Sequence, residues 1–432
     1  ADVAAWHALH AGGTIDASGS GALTLTNSGS VTINGTGTRT LTLAGTGTGT
    51  LTGVVANDGS SNATTLVKSG SGTWILSGAN TFTGTTTVSA GTLKNGAAGV
   101  LSDSSAVTVT GTYDLNTFNE TVGSIAGAGT ITSGSAGSVT LTAGGDNTST
   151  TFSGTLQDGS GTMSLTKTGS GTLTLSGTVT LGGDLTVSAG TVNGTAAVTV
   201  NGGDATGDGT ISFTGGTFTI DGTGNFGGNT GWTFYDLVFG DGSGSTTTTK
   251  TGSGAITVSH DLTIAANQTL DGSSNTWNIG RNWSTSGTFT ASTSSVVLNG
   301  TDQTVSGTNT FYNLTKDVAS DAARTLTFES GKTQTITHAL TLTGGSGKVL
   351  TVTASTTSAA TIAFTGSSTF SGDYLNISYN TATDSSSGVS LPLAPTHSTD
   401  GGNTTGWFGT TITGTVYNSN ESTALSGVTI AI

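Results

Sequence analysis

One pattern dominates the sequence. Short runs in which apolar residues alternate with Thr or Ser are each cut off by Gly. Residues 21–53, GALTLTNSGSVTINGTGTRTLTLAGTGTGTLTG, show it plainly. Leu23 and Leu25, Val31 and Ile33, and Leu41 and Leu43 fall on one face of successive strands, with Thr24, Thr32 and Thr42 opposite. A period of two sends one set of side chains inward and the other towards water. Thr suits the outer face because β-branching favours extended backbone. Gly suits the turns because it accepts positive φ without a Cβ clash. Composition closes the other routes. Of 432 residues, 71 are Gly, 2 are Pro and none is Cys, and only 8% are charged. Collagen needs abundant Pro and strict Gly every third residue. A disulfide-stapled domain needs Cys, and a membrane helix needs a run of about 18 apolar residues, which does not occur. The recurring apolar alternation also separates the chain from a disordered Gly/Ser/Thr linker.

Strand plus turn takes about 8–12 residues, a spacing shared by sandwiches, barrels and solenoids. Internal repeats separate them. LVKSGSGTWILSGANTFTGTTTVSAGTL (Leu66 to Leu93) returns 99 positions later as LTKTGSGTLTLSGTVTLGGDLTVSAGTV (Leu165 to Val192). Lys68, Gly70, Gly72, Leu76 and Gly78 become Lys167, Gly169, Gly171, Leu175 and Gly177, and a third copy opens at Lys250. The second half has its own repeat of about 77 residues. WTFYDL (Trp232 to Leu237) answers NTFYNL (Asn309 to Leu314), and ITVSHDLTI (Ile256 to Ile264) answers QTITHALTL (Gln334 to Leu342). Self-similar units without charged linkers stack on their neighbours in one continuous core. The expected fold is therefore all-β, a right-handed parallel β-solenoid. The expected organisation is an N-terminal cap or linker over 1–20, a first solenoid over 21–230, a second over 231–408, and terminal strands over 409–432.

These motifs carry a family resemblance. Residues 66–93 and 165–192 resemble the autotransporter-associated β-strand repeat of secreted bacterial passenger domains. The shared features are the Lys-x-Gly-x-Gly-Thr opening, the Leu-x-Gly centre and the Val-x-Ala-Gly-Thr close. Residues from about 230 to 408 resemble repeat regions of large extracellular bacterial proteins, through TFYNL, LTFESGKTQTITHALTL, ISYN and DGGNTTGWF in that order. The tail TITGTVYNSNESTALSGVTIAI (Thr411 to Ile432) resembles the first strands of a carboxypeptidase-regulatory-like or Cna-B-like β-sandwich. The resemblance implies an extracellular, cell-surface protein of bacterial type.

Charge narrows the partners. With 24 acidic and 10 basic residues the net charge is −14, which argues against nucleic acid and against anionic lipid. The first ten residues, ADVAAWHALH, have neither the basic start nor the apolar core of a signal peptide. Solenoid enzymes bring carboxylates together with Lys or Arg on one face, and no such constellation is legible, so an enzyme is not expected. Lys68, Lys167 and Lys250 occupy equivalent repeat positions and read as structural. The best acidic cluster is NGGDATGDGT, where Asp204 and Asp208 are calcium candidates through carboxylate and backbone oxygens. Asp236 and Asp241 read as turn residues. His260 and His338 are repeat-equivalent, which argues against a metal role for each. His7 and His10 would share one face of a short helix. Trp74, Trp232, Trp277, Trp283 and Trp407, with Phe234, Tyr235, Phe311 and Tyr312, either fill the core or line a sugar-binding platform. The expected function is structural: a self-assembling subunit of a surface filament or layer whose partner is itself. The terminal strand around Val428, Ile430 and Ile432 would be donated to a neighbouring edge. An adhesin for surface glycans is the alternative.

Overall fold

Strand by strand, the alternation of the sequence becomes an alternation of burial. The computed structural model describes residues 9–10, 12–31, 33–34, 37–57, 62–409, 416–417 and 424–425. In Arg39–Ala44, Leu41 and Leu43 are buried while Thr40 and Thr42 lie half-exposed between them. Leu25, Val31 and Ile33 are buried too, while Leu23 is only half-buried. Among the described residues there is no helix. Leu9–His10 is a strand paired in parallel with Ile33–Asn34, so His10 does not sit on a helical turn. The chain divides into two units, Ala1–Gly300 and Thr301–Ile432.

In the first unit, most strands pair in parallel with the strand one rung before and the strand one rung after. Thr73–Leu76 pairs with Thr48–Leu51 below and Thr92–Asn95 above, residue for residue. Partners lie about 20 residues apart along the chain: Thr92 pairs with Thr112, and Thr112 with Thr130. Such parallel sheets surround an apolar interior, which is the β-solenoid expected from the repeats. Closure by stacking leaves every inner strand hydrogen-bonded on both sides. Identical side chains line up as a consequence. Thr121, Thr142, Thr166, Thr186 and Thr206 form one outward ladder. Thr48, Thr73, Thr92, Thr112, Thr130 and Thr155 form another. Inside, Phe226 is packed by Trp232, Phe234, Phe239 and Trp277, with ring centroids 5.2 to 6.4 Å away.

The second unit is built the same way. Arg324–Phe328 pairs in parallel with Gln303–Ser306 and Leu350–Ala354. The 11-residue strand Thr333–Thr343 pairs with Asn309–Asp317, and the register shifts between Phe311 and Asn313. That shift is a β-bulge, which re-aims side chains at the corner. Beyond residue 409, the described pieces are Val416–Tyr417 and Ala424–Leu425, paired antiparallel. The sandwich-like resemblance of the tail rests mostly on residues outside the described ones, as do Val428, Ile430 and Ile432.

Candidate functional site

The repeat signature is explained by what its lysines do. Lys68, Lys167 and Lys250 are buried at the end of an inward-facing strand position. Lys68 Nζ donates to the carbonyls of Ser69 (2.9 Å), Gly70 (2.8 Å) and Ala90 (3.0 Å). Lys167 Nζ donates to Thr168 (2.5 Å), Gly169 (2.9 Å) and Ala189 (3.5 Å). Lys250 Nζ reaches the carbonyls of Thr251 and Gly252. Each ammonium thus sits in a cage of turn carbonyls. Burial holds all three below the usual lysine range, Lys250 at about 8. The glycines complete the cage. Gly91 has φ +62°, and a Cβ there would lie 2.5 Å from the Gly70 carbonyl and 2.7 Å from Lys68 Nζ. In the second unit Lys316 is buried likewise, donating to Thr301 O (2.8 Å) and Gln303 Oε1 (2.5 Å), and burial pushes it to about 8.

The five tryptophans weighed as a sugar platform, Trp74, Trp232, Trp277, Trp283 and Trp407, are all fully buried. The reason is the rung: an indole fills the solenoid interior, and Trp74 Nε1 donates to Ala44 O (2.8 Å), Trp232 Nε1 to Gly209 O (3.0 Å) and Trp277 Nε1 to Gly272 O (3.3 Å). Phe234 and Phe311 are buried as well, whereas Tyr235 and Tyr312 lie half-exposed at a corner.

Asp204 and Asp208 serve the next rung separately. Asp204 Oδ1 accepts from Asn225 N (2.8 Å) and its Oδ2 from Asn225 Nδ2 (3.0 Å); Asp208 Oδ1 accepts from Asn229 Nδ2 (2.9 Å). Among the described residues, the set of acid and imidazole ligand atoms that converges within 4.8 Å lies elsewhere, at Asp236, His260 and Asp261.

That corner recurs three times. Tyr235 stacks on His260 (4.7 Å, 10°), Tyr312 on His338 (4.4 Å, 4°) and Tyr374 on His397 (4.6 Å, 13°). Each imidazole Nδ1 meets a side-chain oxygen: Asp236 Oδ1 at 2.6 Å, Asn313 Oδ1 at 2.7 Å and Asp373 Oδ1 at 2.8 Å. Among the described residues, a second carboxylate approaches only at the first corner, Asp261 Oδ2 at 3.4 Å from the same Nδ1. Arg281 Nη1 contacts His260 Nε2 and lies 3.4 Å from Asp261 Oδ2. The sequence showed these residues singly; the signal for their meeting is that FYD and HD sit at matching places in successive rungs.

Glu120 had no sequence signal. It is 2% exposed and accepts from Asn95 Nδ2 (2.7 Å), Val100 N (3.1 Å) and Leu101 N (3.0 Å). Burial pushes its carboxyl up to about 7, despite those hydrogen bonds.

The geometry defines a class: a parallel β-solenoid whose repeated lysine and glycine positions are engaged in its own interior. Comparison with known families goes one step further. The passenger-associated transport repeat matches residues 66–94 and 165–193, to which those two stretches are similar. No curated protein and no solved structure matches the chain.

Proposed function

We propose that the chain is a non-enzymatic, extracellular β-solenoid of bacterial passenger type, displayed at the cell surface and acting through the outer faces of its rungs. The observation that carries this is the match to the passenger-associated transport repeat, on rungs where Lys68, Lys167 and the turn glycines are all engaged in the architecture. Exposure to proteases fits the same reading. Of the 10 Lys and Arg residues, Arg39, Lys68, Lys167, Lys250 and Lys316 are buried, leaving trypsin-like enzymes few sites. The test is antibody labelling of intact, unpermeabilised cells that produce the chain. Labelling of intact cells supports the reading, and signal only after permeabilisation overturns it.

The finer assignment is a homopolymer, a surface filament or layer, joined through the terminal strand that contains Val428, Ile430 and Ile432. It is supported by the repeat architecture, in which a solenoid end is an edge able to accept a strand. Electron microscopy of the full chain and of a chain lacking residues 411–432 tests it. Ordered assemblies that vanish on deletion are expected, and assemblies that persist unchanged contradict strand donation. Surface glycans are the alternative partner, read out on a glycan array. Calcium at Asp204 and Asp208 is tested by calcium titration of the chain against Asp204→Asn.

A further inference from the structure

We propose that Asp236, His260 and Asp261 form a site for a divalent transition-metal ion of the zinc type. Three facts carry it. First, two carboxylate oxygens converge on one imidazole nitrogen. Asp236 Oδ1 lies 2.6 Å and Asp261 Oδ2 3.4 Å from His260 Nδ1. Ligands about 2.0–2.2 Å from a tetrahedral zinc ion stand about 3.4 Å apart. The Asp261 spacing already has that value, and Asp236 needs to withdraw by less than an ångström. A nitrogen donor among oxygens favours zinc or copper over calcium or magnesium.

Second, the ligands are held from behind. Tyr235 stacks on the imidazole, and His260 N donates to Tyr235 O at 3.0 Å. Asp236 Oδ1 accepts from Asp261 N (3.1 Å), and Asp261 Oδ1 from Asn282 N (3.0 Å). Such outer contacts fix the orientation of metal ligands. The three side chains remain 26 to 32% exposed, so an ion can enter from solvent.

Third, the repeat supplies an internal comparison. At the equivalent corner Tyr312 and His338 stack just as closely, with Asn313 in place of Asp236 and Ala339 in place of Asp261. The Tyr–His corner therefore forms without either carboxylate, and the two charges at the first corner are additional to what the fold requires. Arg281 brings an opposing charge to this corner, next to His260 Nε2 and Asp261 Oδ2. A metal ion at Nδ1 takes the place of the contact with Asp236. Arg281 stands 3.4 Å from Asp261 Oδ2 and faces the same carboxylate that the ion would bind. Arg281 is thus a competitor of the ion.

The test is isothermal titration of the whole chain with zinc chloride, with cobalt(II) absorption as a readout of tetrahedral coordination. One zinc ion per chain is expected at this corner. Asp236→Asn and Asp261→Asn should each weaken binding by at least the about 10–100-fold that loss of an outer contact to a metal ligand costs, Arg281→Gln should tighten it, and His338→Gln should leave it unchanged. The proposal is overturned by absence of binding up to about 1 mM zinc, by binding in both Asp→Asn variants as tight as in the unaltered chain, or by weaker binding in Arg281→Gln. Should one Asp→Asn variant fail to fold, the other and Arg281→Gln decide.

Discussion

The ammonium groups of Lys68, Lys167 and Lys250 end inside Gly-rich turns, where a neutral side chain would leave carbonyls with no donor. Replacing Lys167 by Met keeps the apolar stem and removes the donor. Leaving buried acceptors unmatched costs about 1–3 kcal/mol. We expect that loss in the local opening free energy of the rung, read by amide hydrogen exchange around Thr168 and Ala189. Unchanged exchange would show that the cage contributes nothing. Lysines held near 8, Lys250 and Lys316, have folded-state values below the unfolded one. Their contribution to stability therefore rises as pH goes from about 8 towards the ordinary lysine value. Glu120 runs the other way. Its folded value of about 7 lies above the ordinary glutamate value of 4.5, so its contribution is full below 4.5 and is lost as pH rises through 7. The difference corresponds to about 3 kcal/mol. We expect the protection of the Val100 and Leu101 amides to be greater at pH 5 than at pH 7.5, and the difference to disappear in Glu120→Gln. The repeated lysines were legible as structural positions because they recur. Glu120 occurs once and shows its role only when a neighbouring rung covers it, which sequence spacing does not reveal.

At the scale of the strand and turn, the alternation of Leu41 and Leu43 with Thr40 and Thr42 was readable because burial in a half-exposed strand has a period of two. Which side chains meet at a corner was not readable. The corners depend on one-residue shifts of register between paired strands, such as that between Phe311 and Asn313. Trp74 illustrates the same limit. Its alternation position is inward, yet the room it occupies comes from Gly49 in the rung below, where a Cβ would lie 2.5 Å from the indole ring. Gly49→Ala should therefore cost about 1–3 kcal/mol through overpacking. Because each rung touches only its neighbours, hydrogen exchange should quicken in Thr48–Leu51, Thr73–Leu76 and the adjoining strands and stay unaltered around Val198–Asn201. Uniform loss of protection along the unit would contradict a stacked array. Thr166→Val, in an outward ladder, should change local stability by less than about 0.5 kcal/mol.

For the molecule as a whole, the solenoid architecture followed from the 99-residue and 77-residue repeats, because stacked copies are the arrangement in which identical faces bury one another. The division into units at Gly300 did not follow, since the repeat type changes near Trp232 while the strands continue to pair in parallel beyond it. The candidate metal corner lies where a repeat copy departs from its partner, Asp236 and Asp261 against Asn313 and Ala339. Averaging the copies hides such a site; comparing them exposes it. The absence of Cys from the sequence allows parallel in-register stacking to be tested directly by engineered disulfides. Thr142 pairs with Thr166, and Thr166 with Thr186. Cysteines at Thr142 and Thr166 would stand about 4.8 Å apart across neighbouring strands, inside the range a disulfide spans. Cysteines at Thr142 and Thr186 would stand about 10 Å apart, beyond it. We expect mild oxidation to close the first pair quantitatively within a single chain and to leave the second open. Closure of the second pair, or failure of the first, would contradict the stacked parallel solenoid.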